Sequence, residues 1–194
     1  MADAIETVVR RGHPLPFPLP RLWLMTDERQ GDALWHAIEA LPRGSGIVFR
    51  HYSLSDPERR AMARRIRKIA NRRHLAFVVA GSRQLARAAK ADGWHSRTPL
   101  KAPAKMIRTV AVHNAREMVA ASKTGADAVF LSPAFPTASH PGEPALGALR
   151  FGALAQQAAA PVIALGGMNA ARAKALRRFG IYGWAGIGAL TPKG

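Results

Sequence analysis

A chain of 194 residues with 48% hydrophobic and 21% charged content can bury one sizeable core, and it is too short for two ordinary domains. The absence of cysteine excludes disulfides and thiolate metal sites, and no apolar run approaches the length that spans a bilayer. A formal net charge of +17 favours phosphorylated ligands and polyanions as partners, and the N-terminus lacks a basic-then-apolar signal, so a cytoplasmic location is expected.

Residues 1–20 end in HPLPFPLP and read as a proline-rich arm, with residues 21–194 forming a single domain. From Leu22 onward, short apolar runs alternate with helical segments. Strands are predicted at 22–25, 47–49, 75–79, 92–95, 107–112, 128–131, 161–165 and 182–187. Between them the sequence predicts helices near 32–41, from Ser55 or Asp56 through the arginine-rich stretch, from Ser82 to Lys90, from Asn114 to Thr124, over 148–159, and from Asn169 to Phe179. The fourth crossover carries Pro99 and Pro103 and has no room for a long helix.

Strict alternation implies a parallel sheet, and this number of units implies a closed (β/α)8 TIM barrel rather than an open sheet. The chain stops at Gly194, just past the last strand, so the final helix is expected to be missing or truncated. Barrel surface left bare in this way would be covered by the proline arm or by a second copy in a homodimer.

Arg59, Arg60, Arg64, Arg65, Arg67, Lys68, Arg72 and Arg73 crowd one helix, with Met62, Ile66 and Ile69 as its core stripe. No aromatic platform interleaves these cations, so a solvated face is favoured over a nucleic-acid-binding one. Strand C-termini in such a barrel converge on one mouth. Here they would bring together Asp27, Arg50 and His51, Gly81 and Ser82, His95, His113, Thr137 with Ser139 and His140, Gly166 and Gly167, and Gly186. This set suits an anionic, phosphorylated small molecule. Gly166, Gly167 and Gly186, joined by Gly188, would let backbone N–H groups approach a phosphate, although a Gly-Gly pair alone more often makes a tight turn. For Arg50 the competing reading is an ion pair with a loop carboxylate, and for His113 a hydrogen-bonded strand end. His95, beside Trp94, reads as a packing residue.

At these residues the chain resembles the thiamine phosphate synthase/TenI family, over nearly the whole stretch from Leu22 to Leu190. LMTDER, ARAAKADGWH, VAVHNAREM, GADAVFLSPAFPTASHPGEPALG and PVIALGGM are similar to family segments in the family's order. The resemblance implies a barrel that binds a phosphorylated thiazole in thiamine biosynthesis. Within the family, the synthase joins a pyrimidine diphosphate to a thiazole phosphate using magnesium. This chain departs from it with Tyr52 in place of a lysine, Ala80-Gly81-Ser82 in place of Asn-Asp-Arg, no carboxylate in SRTPLK, Ala111 for a serine and His140 for a lysine. A magnesium–diphosphate site needs hard carboxylate oxygens, which these positions do not offer, so no metal is expected unless the synthase reading holds. The departures point to a metal-free, TenI-like thiazole tautomerase with His113 as acid/base, Arg50 facing the ligand carboxylate, Thr137 and Ser139 on the binding loop, and Gly166, Gly167 and Gly186 at the phosphate. The alternatives are the synthase itself and a non-catalytic barrel that binds a phosphorylated metabolite or nucleic acid.

Overall fold

In the computed structural model, which describes residues 18–97, 106–137, 142 and 144–192, the apolar runs pair in sequence order into one closed parallel barrel. Its strands are β1 (Leu22–Met25), β2 (Gly46–Phe49), β3 (Ala76–Ala80), β4 (Gly93–Ser96), β5 (Ile107–Val112), β6 (Ala128–Leu131), β7 (Val162–Ala164) and β8 (Gly183–Gly186). β8 closes on β1, with Trp23 opposite Ala185. The helices are α1 (Ala33–Ala40), α2 (Asp56–Arg73), α3 (Arg83–Ala88), α4 (Ala115–Ser122), α5 (Gly147–Ala155) and α6 (Ala170–Leu176). Beyond β8 the described residues form a 3-10 turn, Gly188–Leu190, and no α-helix.

Most elements fall within a residue or two of expectation. The exceptions are helix ends: α5 stops at Ala155 so that the chain can turn back into β7, and α6 gives way at Leu176 to a 3-10 turn closed by Gly180 in the left-handed conformation (φ 75°). Sequence signals are weakest at such ends because local hydrogen bonds decide them.

Strand alternation sorts the apolar residues into layers. Trp23, Met25, Val48, Val78, Ala128, Phe130, Ile163 and Ala185 fill the barrel interior. Their strand neighbours Leu24, Ile47, Phe49, Phe77 and Val79 pack outward under α1–α3, while Val110, Val129, Leu131 and Val162 pack under α4–α6. Gly46 makes room for the largest interior side chain: a Cβ there would lie 2.2 Å from the Trp23 ring. The far end of the proline arm touches the barrel floor, where Leu19 packs on the interior cluster and its carbonyl accepts a 2.7 Å bond from Tyr182 Oη. Residues 1–17 lie outside the described part of the chain.

The arginine-rich helix needs one correction. α2 is capped by Ser55 and Glu58 in a reciprocal capping box, with Pro57 in its first turn, and Arg60, Arg64, Arg65, Lys68 and Arg72 are exposed as expected. Arg59 is not on that solvated face. It is buried, and Nη2 donates to the carbonyls of Arg50 (2.8 Å) and Ala80 (3.1 Å) at the ends of β2 and β3. The guanidinium is drawn inward because strand C-termini leave carbonyls that need donors.

Candidate active site at the strand C-termini

The same parity that fills the interior carries residues of each strand into the mouth above it. Counting in twos gives Met25 to Asp27, Val48 to Arg50 to Tyr52, His95 to Arg97, Ala111 to His113, Phe130 to Ser132, and Ile163 to Leu165 to Gly167. All of these except the interior Val48, Phe130 and Ile163 line one cavity of about 900 Å³, together with Arg29, Glu117, Thr137, Gly166, Arg172, Gly186 and Gly188. The structure thus brings Arg50, His113, Thr137, Gly166, Gly167 and Gly186 together. Ser139 and His140 lie outside the described residues.

Thr26 and Asp27 together hold Arg50. Thr26 Oγ1 accepts from the Arg50 backbone N–H (3.0 Å), its carbonyl accepts from Nε (2.9 Å), and Asp27 Oδ2 accepts from Nη2 (2.9 Å). Arg50 is therefore in the ion pair that the competing reading expected, and it also lies in the mouth wall. Arg29 grips the other side of Asp27 (Nε to Oδ1, 2.6 Å). Its hydrogen bond, outweighing the upward pull of burial, lowers the Asp27 pKa from 3.8 to about 2.

His95 lies inside the barrel, against the edge of Phe130 (ring centroids 5.1 Å apart), with Nδ1 2.8 Å from Thr109 Oγ1. Trp94 points the opposite way into the outer layer, so its presence said nothing about His95: adjacent strand residues face opposite sides. Burial, then the charges of Arg50, Arg97 and His113, push the His95 pKa down to about 3. A base held neutral in this way stabilises the fold above its unfolded pKa of 6.5, and that stability is lost as pH falls through the range down to its folded value. Asp27 contributes above 3.8 and loses its contribution down to about 2. Acid unfolding followed by circular dichroism should therefore show His95→Gln less sensitive between pH 6.5 and 4, and Asp27→Asn less sensitive only below about pH 4.

His113 sits at the end of β5, about half exposed, with Nδ1 2.8 Å from Glu117 Oε2. The same oxygen accepts from the His113 backbone N–H (2.8 Å), and Oε1 accepts from Asn114 Nδ2 (3.0 Å). Partial burial pulls the Glu117 pKa up, but these hydrogen bonds outweigh it and leave the carboxylate below its usual range. With Nδ1 donating to Glu117, Nε2 is the ring's basic nitrogen. Glu117 escaped the sequence reading, although Asn114 followed three residues later by Glu117 is a capping pattern that places the carboxylate one helical turn from His113.

At the opposite wall, Gly166 (φ 89°) and Gly167 (φ 60°) adopt backbone that favours glycine. A Cβ on Gly166 would lie 2.7 Å from Pro133 Cα, and one on Gly167 2.4 Å from the Pro136 carbonyl oxygen. The pressing need for glycine here is close packing against the β6 loop, alongside the tight turn that a Gly-Gly pair more often makes. Gly186 does not have a positive φ, and a Cβ there would meet Trp184 at 3.2 Å. Among the described residues nothing lies within 4 Å of a Cβ placed on Gly188. Arg172 caps this wall, with Nη1 donating to the Gly167 carbonyl and the guanidinium 4.9 Å from the Phe135 ring.

The magnesium that the family resemblance implies does not fit the donor set that the described residues bring to this mouth. Gly81 has φ 85°, so a carboxylate side chain at that position would strain the backbone, and its Cβ would lie in van der Waals contact with Tyr52 Cε1 at 3.4 Å. Asp27 is gripped by two arginines and Glu117 by His113. Among the described residues no group of three His, Asp or Glu side chains is placed to hold a metal ion.

A glycine-rich wall at the mouth of a closed (β/α)8 barrel defines the class, and comparison with known proteins gives the family. The family model described as thiamine monophosphate synthase matches residues 22–190. The chain belongs to that family. It is 30% identical over 179 residues to the putative thiamine-phosphate synthase 2 of Aquifex aeolicus, covering 87% of this chain and 96% of that one. It is 32% identical over 182 residues to the thiamine-phosphate synthase of Methanospirillum hungatei, covering 87% and 88%. The solved thiamine phosphate pyrophosphorylase of Pyrococcus furiosus shares the fold, with a TM-score of 0.75 at 24% identity over 90% of this chain and 89% of that one. These names favour the condensing alternative over the tautomerase expectation. No helix among the described residues is long and apolar enough to cross a membrane.

Proposed function

We propose that this chain works in thiamine biosynthesis as a condensing enzyme, joining a pyrimidine diphosphate to a thiazole phosphate with release of pyrophosphate. The observation that carries the proposal is the two-sided mouth: glycine backbone and Arg172 on the β7–β8 side, and Arg29, Arg50 and Arg97 on the β1–β4 side. A reaction between two phosphorylated partners needs two anion-holding walls, and the names of the relatives support this reaction. In this reading the backbone at Gly166, Gly167, Gly186 and Gly188 holds the thiazole phosphate, with Thr137 and Ser139 as further contacts to it. Arg50, oriented by Thr26 and Asp27, faces the second anion. Holding both partners in contact converts an encounter in solution into a step within one complex.

One observation favours a second reading, the metal-free tautomerase: Glu117 orients His113 as an imidazole–carboxylate pair suited to moving a proton between ring positions. Incubating the protein with both phosphorylated reactants and following pyrophosphate release separates the two. The expected result is release of pyrophosphate with formation of thiamine phosphate, and a loss of less than about tenfold in His113→Ala, because proton abstraction by a side chain typically contributes 10²–10⁴-fold where it is required. No release from wild type, together with aromatisation of a carboxythiazole phosphate that His113→Ala abolishes, would replace the first reading with the second.

A further inference from the structure

On the β1–β4 side of the mouth, Gly81 stands where the resembled family has a metal-binding aspartate, and the cations Arg29, Arg50 and Arg97 line the cavity. Gly81 cannot carry a carboxylate without backbone strain, and the Tyr52 ring covers the space above it. Tyr52 is 56% exposed toward the mouth and is backed by Arg59, whose guanidinium lies 5.5 Å from both the Tyr52 and Phe49 rings. Arg59 is itself locked by the two strand-end carbonyls, so this aromatic wall has a rigid support. Arg50 and Arg97 line the same cavity, one from β2 and one just past β4, and the charges of both act on His95. Arg50 is already oriented by Thr26 and Asp27, which lowers the entropy lost when it engages an anion. Guanidinium groups match phosphate oxygens through paired N–H donors and remain charged at any working pH. A neutral His95 adds a polar neighbour without a competing charge.

We propose that this wall binds a diphosphate group directly through Arg50 and Arg97, against Tyr52, with no divalent cation. The inference rests on the reading of the mouth as a site for phosphorylated reactants, and it identifies what takes the metal's place in neutralising the second of them. Diphosphate carries more charge than one arginine can offset, so the pair should act together and neither should suffice alone.

The test uses inorganic pyrophosphate and orthophosphate as probes, by titration calorimetry at 150 mM salt to suppress loose binding to a chain of net charge +17. Pyrophosphate is titrated in EDTA and in magnesium into wild type, Arg97→Gln, Gly188→Glu (which adds charge to the glycine side only) and the double variant. We expect pyrophosphate to bind wild type and Gly188→Glu in EDTA, with no gain from magnesium, and to weaken at least about tenfold on adding Arg97→Gln, the size of one charge-assisted contact. Binding only in the presence of magnesium overturns the proposal, as does equal binding in EDTA to Gly188→Glu with and without Arg97→Gln. Orthophosphate separates this from failure of the underlying reading. If orthophosphate binds wild type and is lost in Gly188→Glu while pyrophosphate fails the test above, only the guanidinium wall is wrong. If wild type binds neither anion, the phosphorylated-reactant reading fails with it.

Discussion

Phe130→Ala is expected to destabilise the barrel by about 3–5 kcal/mol, lowering the midpoint of thermal unfolding by roughly 10 °C for a chain of this size. Phe130 is fully buried at the centre of the barrel interior and meets the Trp23 ring edge-on, with centroids 5.4 Å apart, and the His95 ring at 5.1 Å. Parallel strands from all sides fix that interior, so the wall cannot collapse into the space the ring leaves. The variant loses the transfer energy of the ring and also keeps a cavity. The cavity would open beside His95, the polar end of the interior, and admit water there. Phe130→Leu keeps most of the volume and should recover more than half of the loss. Leu149→Ala, at an 80% exposed position, should stay within about 0.5 kcal/mol of wild type and controls for handling. Circular dichroism melts of the three variants check this ordering. A Phe130→Ala midpoint within two or three degrees of wild type would mean that the interior repacks, contrary to the geometry described above.

The barrel was legible because its signal is redundant. The apolar runs are short, most of them are followed by a helical period, and the topology of such a chain has few solutions. The site was legible only in part, because strand ends can be found from sequence while the direction of a side chain depends on register. His113 and Arg50 follow directly from their positions at the ends of β5 and β2. Arg97 and Tyr52 were recoverable in principle by counting in twos beyond β4 and β2, but without the register nothing marks which parity faces inward. Arg59 could not be found this way. On a helix with cations at nearly every exposed position, only the tertiary structure says which one turns in to satisfy strand-end carbonyls. Glycine was the most misleading residue type. Gly166 and Gly167 look alike to a ligand-binding argument and a packing argument, and the contacts of the β6 loop show that packing makes the stricter demand.

For the same reason the sharpest test of the glycine wall lies elsewhere, at Gly188. A side chain on Gly166 or Gly167 would collide with backbone of the β6 loop, so loss of binding there would not separate a filled site from a broken loop. Gly188 lines the same mouth, has ordinary backbone and has no described residue within 4 Å of where a Cβ would stand. Gly188→Ala should therefore fold with an unchanged midpoint and bind a thiazole phosphate within a few-fold of wild type. Gly188→Glu should fold equally well and place a carboxylate where the phosphate would sit. Like charges brought together in a partly enclosed site cost several kcal/mol, so affinity should fall by roughly 100-fold or more. Screening should soften the loss, and the gap between Gly188→Glu and wild type should narrow as salt is raised toward 1 M. A steric block would leave that gap independent of salt. Equal affinity of Gly188→Glu and wild type, with both folded, would remove the phosphate from this wall altogether.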